Sequence, residues 1–190
     1  ILAVGTDGST PGGRQWATRV VPNRYPALRV EGELSPRPDG IFDVMNGIGA
    51  HEVIVDTPVH SVQPHRYSDS DWARIVRVLQ SRSLDLRRDI RLACLTIFKN
   101  HGSQAGATLS HPHTQIIATP VVPALIASEM MEISRYVAFR QRCPLCDMIV
   151  QETANGVRVV SANASFTVVA PFASRVPFEL LVIPVRHSPD

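Results

Sequence analysis

The chain of 190 residues is 44% hydrophobic and 19% charged, as expected of a soluble globular protein with one good domain or two small ones. Its formal net charge is +2 and no Lys/Arg block dominates, which argues against nucleic acid as a partner. No apolar run reaches the roughly 18–20 residues that span a bilayer and no signal peptide is read, so no membrane partner is expected and the cytoplasm is the expected compartment.

Taken in chain order, residues 1–15 are rich in Gly, Thr, Ser and Pro and predict a loop. Residues 16–21 predict a strand stopped by Pro22-Asn23, and 24–30 a second short strand. Residues 31–49 read as loop with a little strand, and 52–56 as a clear strand ended by Pro58. Ser68 is an N-cap, and Asp71 completes a variant of the capping box. Trp72, Ile75, Val76 and Leu79 follow at helical spacing, with Arg74, Arg77 and Arg82 off that face and the helix ending near Arg88. Residues 90–98 predict a buried strand that carries Cys94 into the core.

Next comes a small polar loop, Asn100-His101-Gly102-Ser103-Gln104-Ala105-Gly106-Ala107-Thr108, whose glycines suit close approach of backbone N–H groups to a phosphate. Ser110-His111-Pro112-His113-Thr114-Gln115 follows. On an extended backbone His111, His113 and Gln115 share one face. Two imidazoles and an amide beside such a loop suggest a nucleophilic imidazole facing a phosphate. Pro123 opens a second helix to about Gln141, and strands are expected near 157–161, 166–170 and 179–184. Cys143-Pro144-Leu145-Cys146 is a C-x-x-C pair, either a zinc half-site or a redox pair.

The chain also repeats itself. Glu52-Val53-Ile54-Val55-Asp56-Thr57-Pro58-Val59-His60-Ser61 parallels Glu179-Leu180-Leu181-Val182-Ile183-Pro184-Val185-Arg186-His187-Ser188, and residues 16–22 resemble 166–171. Two units are therefore expected, 1–122 with the His strand and 123–190 with the C-x-x-C. The second stops soon after His187, and Ile1 is not an initiator Met, so the chain reads as a fragment of a longer protein.

These residues resemble the galactose-1-phosphate uridylyltransferase family of the histidine triad superfamily. The resemblance rests on Val21-Pro22-Asn23-Arg24-Tyr25-Pro26, Gly49-Ala50-His51-Glu52-Val53, Pro58-Val59-His60-Ser61, Phe98-Lys99-Asn100-His101-Gly102, Gly106 and His111-Pro112-His113-Thr114-Gln115, with Pro184-Val185-Arg186-His187 in the second unit. The run before His111 and the second C-x-x-C are closer to the branch that handles ADP-glucose. Where the galactose enzymes usually carry a cysteine, this chain has Ala107.

The resemblance implies an α+β fold of duplicated histidine-triad-like units, each an antiparallel sheet with a packed helix, the second truncated. It implies ping-pong nucleotidyl transfer. His113 is the expected nucleophile toward a nucleotide sugar, Gln115 the donor to a phosphoryl oxygen, and a sugar 1-phosphate the leaving group and acceptor. Asn100, Gly106 and Thr108 are matched to phosphate or nucleotide contacts, and Asn23 to a nucleoside contact. Structural zinc is implied on Cys143, Cys146 and His187. By analogy a second zinc lies on His60 and His111, with the first unit's own C-x-x-C upstream of Ile1. Glu129 falls where some relatives hold another metal, although a solvated helix position is the favoured reading for it. A homodimer is implied for the full-length protein, with little activity in this stretch alone. The competing readings are a phosphorylase or other histidine triad enzyme, and a non-catalytic zinc-stabilised binding module.

Overall fold

In the computed structural model, residues 2–5 and 16–188 are described. They fall into two compact units, Ile1–Pro123 and Ala124–Asp190. Both combine antiparallel sheets with helices, the α+β architecture the sequence predicts.

The first unit is built on a five-stranded sheet. Its strands are β1 (Leu2–Val4), β2 (Thr18–Pro22), β5 (Ala50–Val55), β6 (Cys94–Phe98) and β7 (His113–Thr119), in the spatial order β1-β2-β5-β7-β6. All neighbours are antiparallel. A small hairpin, β3 (Arg37–Asp39) and β4 (Phe42–Val44), turns at Gly40, whose φ of 61° suits a residue without a Cβ. The strand expected over 24–30 does not form. Pro22 ends the pairing of β2 and Asn23 closes an Asx turn onto the Tyr25 N–H, so only Arg29 bridges, to Ile48. Residues 2–4, expected as loop, pair with β2; residues 6–15 lie outside the described residues.

Helix α1 (Asp69–Leu86) begins where the sequence predicts. The Ser68 side chain accepts from the Asp71 N–H, and Asp71 accepts from the Ser68 N–H. Its buried face differs from the expected one: Ile75 and Val78 are buried with Arg74, while Val76 is exposed. Arg74 turns inward because it has partners there, Thr18 Oγ1 at 3.0 Å and Asp71 Oδ1 at 2.5 Å. Val78 joins Val20, Ile54 and Ile116 in the core, with Leu79 and Leu86 against it. The strand expected over 90–98 is shorter and is an edge strand. Ile90 is 98% exposed, Ile97 43% exposed, and Cys94 half-buried rather than a core residue.

The register sorts the two faces of the sheet. Ile54 lies opposite Val20 and Thr114, and Ile116 opposite Glu52, so these share the face that carries the core. His113 lies opposite Val55, Gln115 opposite Val53, and His51 opposite Ile117, all on the other face. The candidate chemistry is thereby separated from the hydrophobic core by the thickness of one sheet.

The second unit holds α2 (Ala124–Arg140), α3 (Pro144–Asn155) and a three-stranded antiparallel sheet. Its strands are β8 (Val159–Ala162), β9 (Phe166–Val169) and β10 (Leu181–Pro184), in the order β10-β9-β8. Val169 and Ile183 are its buried aliphatics, and Glu152 of α3 holds Arg158 through two bonds of 2.9 and 2.8 Å. Helix α3 was not among the predicted elements, though Pro144 at its first turn and Gly156 (φ 70°) at its end mark both boundaries. The sequence repeat is visible as a shared strand pair. Pro22 lies opposite Glu52, and extending the β9/β10 register sets Pro171 opposite Glu179. Among the described residues no helix is long and apolar enough to cross a membrane.

Candidate functional site

Strand β7 begins at His113, one residue after Pro112, and this decides what the two histidines do. Both line one cleft, but their rings take different partners. His111 precedes the ladder and swings toward the segment after β5, where its Nε2 donates to the Thr57 carbonyl at 2.7 Å. Its Nδ1 meets His60 Nδ1 at 2.9 Å, and His60 Nε2 lies 3.1 Å from Ser110 Oγ.

His113 is buried, 7% exposed, with Nδ1 2.8 Å from the carbonyl oxygen of His111. A carbonyl only accepts, so Nδ1 carries the proton and Nε2 keeps its lone pair. The ring borders a cleft of about 380 Å³ that is also lined by Lys99, Asn100, His101, Thr108 and Ser110. Gly102 (φ 82°) and Gly106 (φ 79°) turn the loop along one side of that cleft. A Cβ on Gly106 would stand 3.8 Å from Asn100 Nδ2. The loop differs from the expected phosphate cradle in one respect. The N–H groups of Ala105, Gly106 and Ala107 donate to the Gly102 and Ser103 carbonyls, inside the loop itself. Those three amides are thus engaged, and Asn100, His101, Ser103, Thr108 and Ser110 are the polar residues of this stretch that line the cleft.

Behind the strand sits a buried charge network that sequence reasoning missed. Asp56, 1% exposed, pairs with Lys99 and accepts from Thr114 Oγ1 at 3.0 Å and Tyr67 OH at 3.1 Å. Lys99 Nζ also donates to the His113 carbonyl at 2.8 Å. Burial, followed by the Asp56 charge, pushes the Tyr67 hydroxyl above its ordinary value. The signal available was a lone Lys just before the Gly loop and an Asp at the end of a buried strand, but only the sheet register brings them together.

Gln115 lies on the His113 face, within a second cluster. Its Oε1 is 2.8 Å from His51 Nε2 and 3.4 Å from Asn23 Nδ2. Asn23, read as a nucleoside contact, is thus turned onto Gln115. Of the other histidines, His65 sits in an exposed 3₁₀ turn and His101 is exposed on the cleft.

In the second unit Cys143, Cys146 and His187 bring their ligand atoms within 4.8 Å of one another, with Cys146 Sγ 3.3 Å from His187 Nδ1. Cys143 is the N-cap of α3. The Cys146 N–H holds the Cys143 thiol below its ordinary value, while burial and the bond to Cys143 push the Cys146 thiol up. Two sulfurs and an imidazole nitrogen match the soft tetrahedral ligand set of zinc with one place left. The His60/His111 pair fits the same ion less completely. Two nitrogens on one tetrahedral zinc stand roughly 3.3 Å apart, and the Thr57 carbonyl fixes the His111 tautomer that offers Nδ1. Among the described residues no further Cys, His, Asp or Glu joins that pair. Glu129 is exposed on α2, and its charge is felt by Arg175.

Sheet, loop and histidine strand together define a protein of the histidine triad kind. Residues 14–123 match the family model described as galactose-1-phosphate uridyl transferase, N-terminal domain, and the chain belongs to that family. An ADP-glucose phosphorylase of Arabidopsis thaliana is 34% identical over 178 residues, covering 91% of this chain and 48% of that protein. A galactose-1-phosphate uridylyltransferase of Thermotoga maritima is 29% identical over 166 residues, covering 87% and 52%. A crystal structure of an ADP-glucose phosphorylase from Arabidopsis thaliana with bound ADP-glucose superimposes with a TM-score of 0.79 at 31% identity, over 91% of this chain and 53% of that one. The chain spans about half the length of these relatives.

Proposed function

We propose that the full-length protein transfers a nucleoside monophosphate from a nucleotide sugar to a phosphate acceptor, a hexose 1-phosphate in the uridylyltransferase reading, through a covalent nucleotidyl-histidine on His113. The observation that carries this is the His113 ring. Its Nδ1 proton is held by the His111 carbonyl at 2.8 Å, which leaves Nε2 as the nucleophilic nitrogen of the neutral ring, and His113 lines the cleft. In the first step Nε2 attacks the α-phosphorus, the N–P bond forms, and the bond from that phosphorus to the bridging oxygen breaks. The sugar 1-phosphate leaves with the electron pair. The ring becomes cationic, and the Nδ1–H bond to a carbonyl stabilises it. In the second step a phosphate oxygen of the acceptor attacks the same phosphorus and the N–P bond breaks, restoring neutral His113. Gln115 donates an amide N–H to a non-bridging oxygen as charge grows there, and Asn100 and Thr108 contact phosphate or nucleotide from the loop side. Gly106 keeps that loop close.

Cys143, Cys146 and His187 hold a structural zinc, and His60 and His111 contribute to a second. The metal ties strand ends together and supplies no chemistry to the transfer. The three cysteines are all free, which suits a reducing compartment such as the cytoplasm. The protein works as a homodimer.

A second reading, phosphorolysis of ADP-glucose by the same histidine, is supported by the 34% identity to the plant phosphorylase. The two differ in base and acceptor and share the covalent intermediate. The test uses full-length protein incubated with α-labelled UDP-glucose, UDP-galactose or ADP-glucose. An acid-labile label that disappears in His113→Asn is expected. Discharge by hexose 1-phosphate or by inorganic phosphate separates the two readings. Labelling by none of the three nucleotide sugars would leave the non-catalytic binding module standing instead.

A further inference from the structure

Gln115 is useful to a phosphoryl oxygen only if its amide presents NH2 rather than C=O, and nothing in its own backbone decides that. The structure decides it from the outside, starting at two backbone amides. The Tyr25 N–H lies 2.9 Å from Asn23 Oδ1, and the Ala27 N–H lies 3.2 Å from His51 Nδ1. A backbone N–H only donates. The Asn23 atom it meets must therefore be the oxygen, and the His51 nitrogen it meets must be unprotonated. Asn23 then turns Nδ2 outward, and neutral His51 carries its proton on Nε2. Both donors converge on one atom of Gln115, at 3.4 and 2.8 Å, and lie 3.0 Å from each other. Two converging donors require an acceptor, so that atom is Oε1 and the NH2 is the donating end of the amide.

We infer that His51, seconded by Asn23, is a positioning residue for the transfer, setting the orientation of the Gln115 amide through a relay from the Ala27 and Tyr25 N–H groups. The relay rests on the proposed role of Gln115. It explains why a histidine on β5 sits opposite Ile117 on the chemical face and not in solvent: the Asn23 N–H donates to the His51 carbonyl at 2.8 Å, which docks the 23–27 turn onto that strand. It also gives the Val21-Pro22-Asn23-Arg24-Tyr25-Pro26-Ala27 segment a task. The turn presents two successive backbone donors to two side chains that end on the same amide.

The relay is tested in the full-length protein by kinetics and by spectroscopy. His51→Leu is expected to lower kcat roughly tenfold with KM for the nucleotide sugar within about twofold, because fewer molecules hold the productive amide orientation. His51→Gln, which can accept from Ala27 and donate to Gln115, is expected to restore most of the rate. In a Gln115→Ala background His51→Leu is expected to cost less than about twofold, since the amide it orients is gone. Equal losses in both backgrounds would show a merely structural role and overturn the relay. A Gln115→Ala enzyme with full activity would overturn the role of Gln115 itself, a separate failure. Nitrogen-15 NMR of the His51 ring gives a readout independent of turnover and of variant folding: the Nε2–H tautomer is expected, and the Nδ1–H tautomer refutes the relay.

Discussion

Replacing Lys99 by Met removes the cation from beneath the candidate nucleophile and leaves Asp56 behind. Asp56 has no exposed side-chain surface, and Lys99 is its ion-pair partner. Taking one partner from a buried pair costs about 3–5 kcal/mol. Asp56 retains hydroxyl bonds at 3.0 and 3.1 Å, which argues for the low end. The lost bond to the His113 carbonyl at 2.8 Å adds about 1 kcal/mol. The expected loss is therefore about 3–4 kcal/mol, read as a lower urea midpoint at unchanged m in the full-length protein. The double variant Asp56→Asn, Lys99→Met has no uncompensated charge and should recover about 2 kcal/mol of that loss. A loss below about 1 kcal/mol in the single variant, or a double variant less stable than the single, refutes the view of this pair as a buried charge network.

Tyr67 supplies a pH test. Its folded hydroxyl is held above the ordinary tyrosine value, so the unfolded chain ionises first and unfolding releases a proton. Stability should accordingly fall as pH rises beyond roughly 10, and Tyr67→Phe should flatten that fall in denaturation series at pH 8 to 11. Gly49→Ala sets a Cβ 2.3 Å from the Ala118 carbonyl oxygen. Backbone must shift, and a loss of about 2 kcal/mol or more in thermal or urea unfolding is expected. Ser68→Ala removes the cap of α1 and should cost about 1 kcal/mol in the same assay. Metal analysis of the full-length protein should find zinc. Cys143→Ser should lower the content by about one equivalent per chain, and unchanged content would reject the Cys143/Cys146/His187 site.

Local chemistry carried much of the fold into the sequence. Ser68 and Asp71 announce α1, Pro58 ends β5, and the repeated Glu-to-His segments announce two related strand pairs. What was not legible depends on distant partners. Arg74 reads as solvent-facing from its spacing and is buried because Thr18, 56 residues away, accepts from it. His111 and His113 look equivalent until their partners separate them, Thr57 and His60 for one ring and the His111 carbonyl for the other. His51 shows no chemistry in sequence, since its meaning arises from Ala27 on one side and Gln115, 64 residues on, at the other. Helix α3 is a different kind of miss, because its Pro144 and Gly156 boundaries were written locally.

His111 answers to two masters. Its imidazole faces His60 across 2.9 Å, while its carbonyl holds the proton of His113 at 2.8 Å. Ring and backbone belong to one residue, so whatever fixes the His111 ring against Thr57 and His60 also fixes the carbonyl against which the His113 ring is oriented.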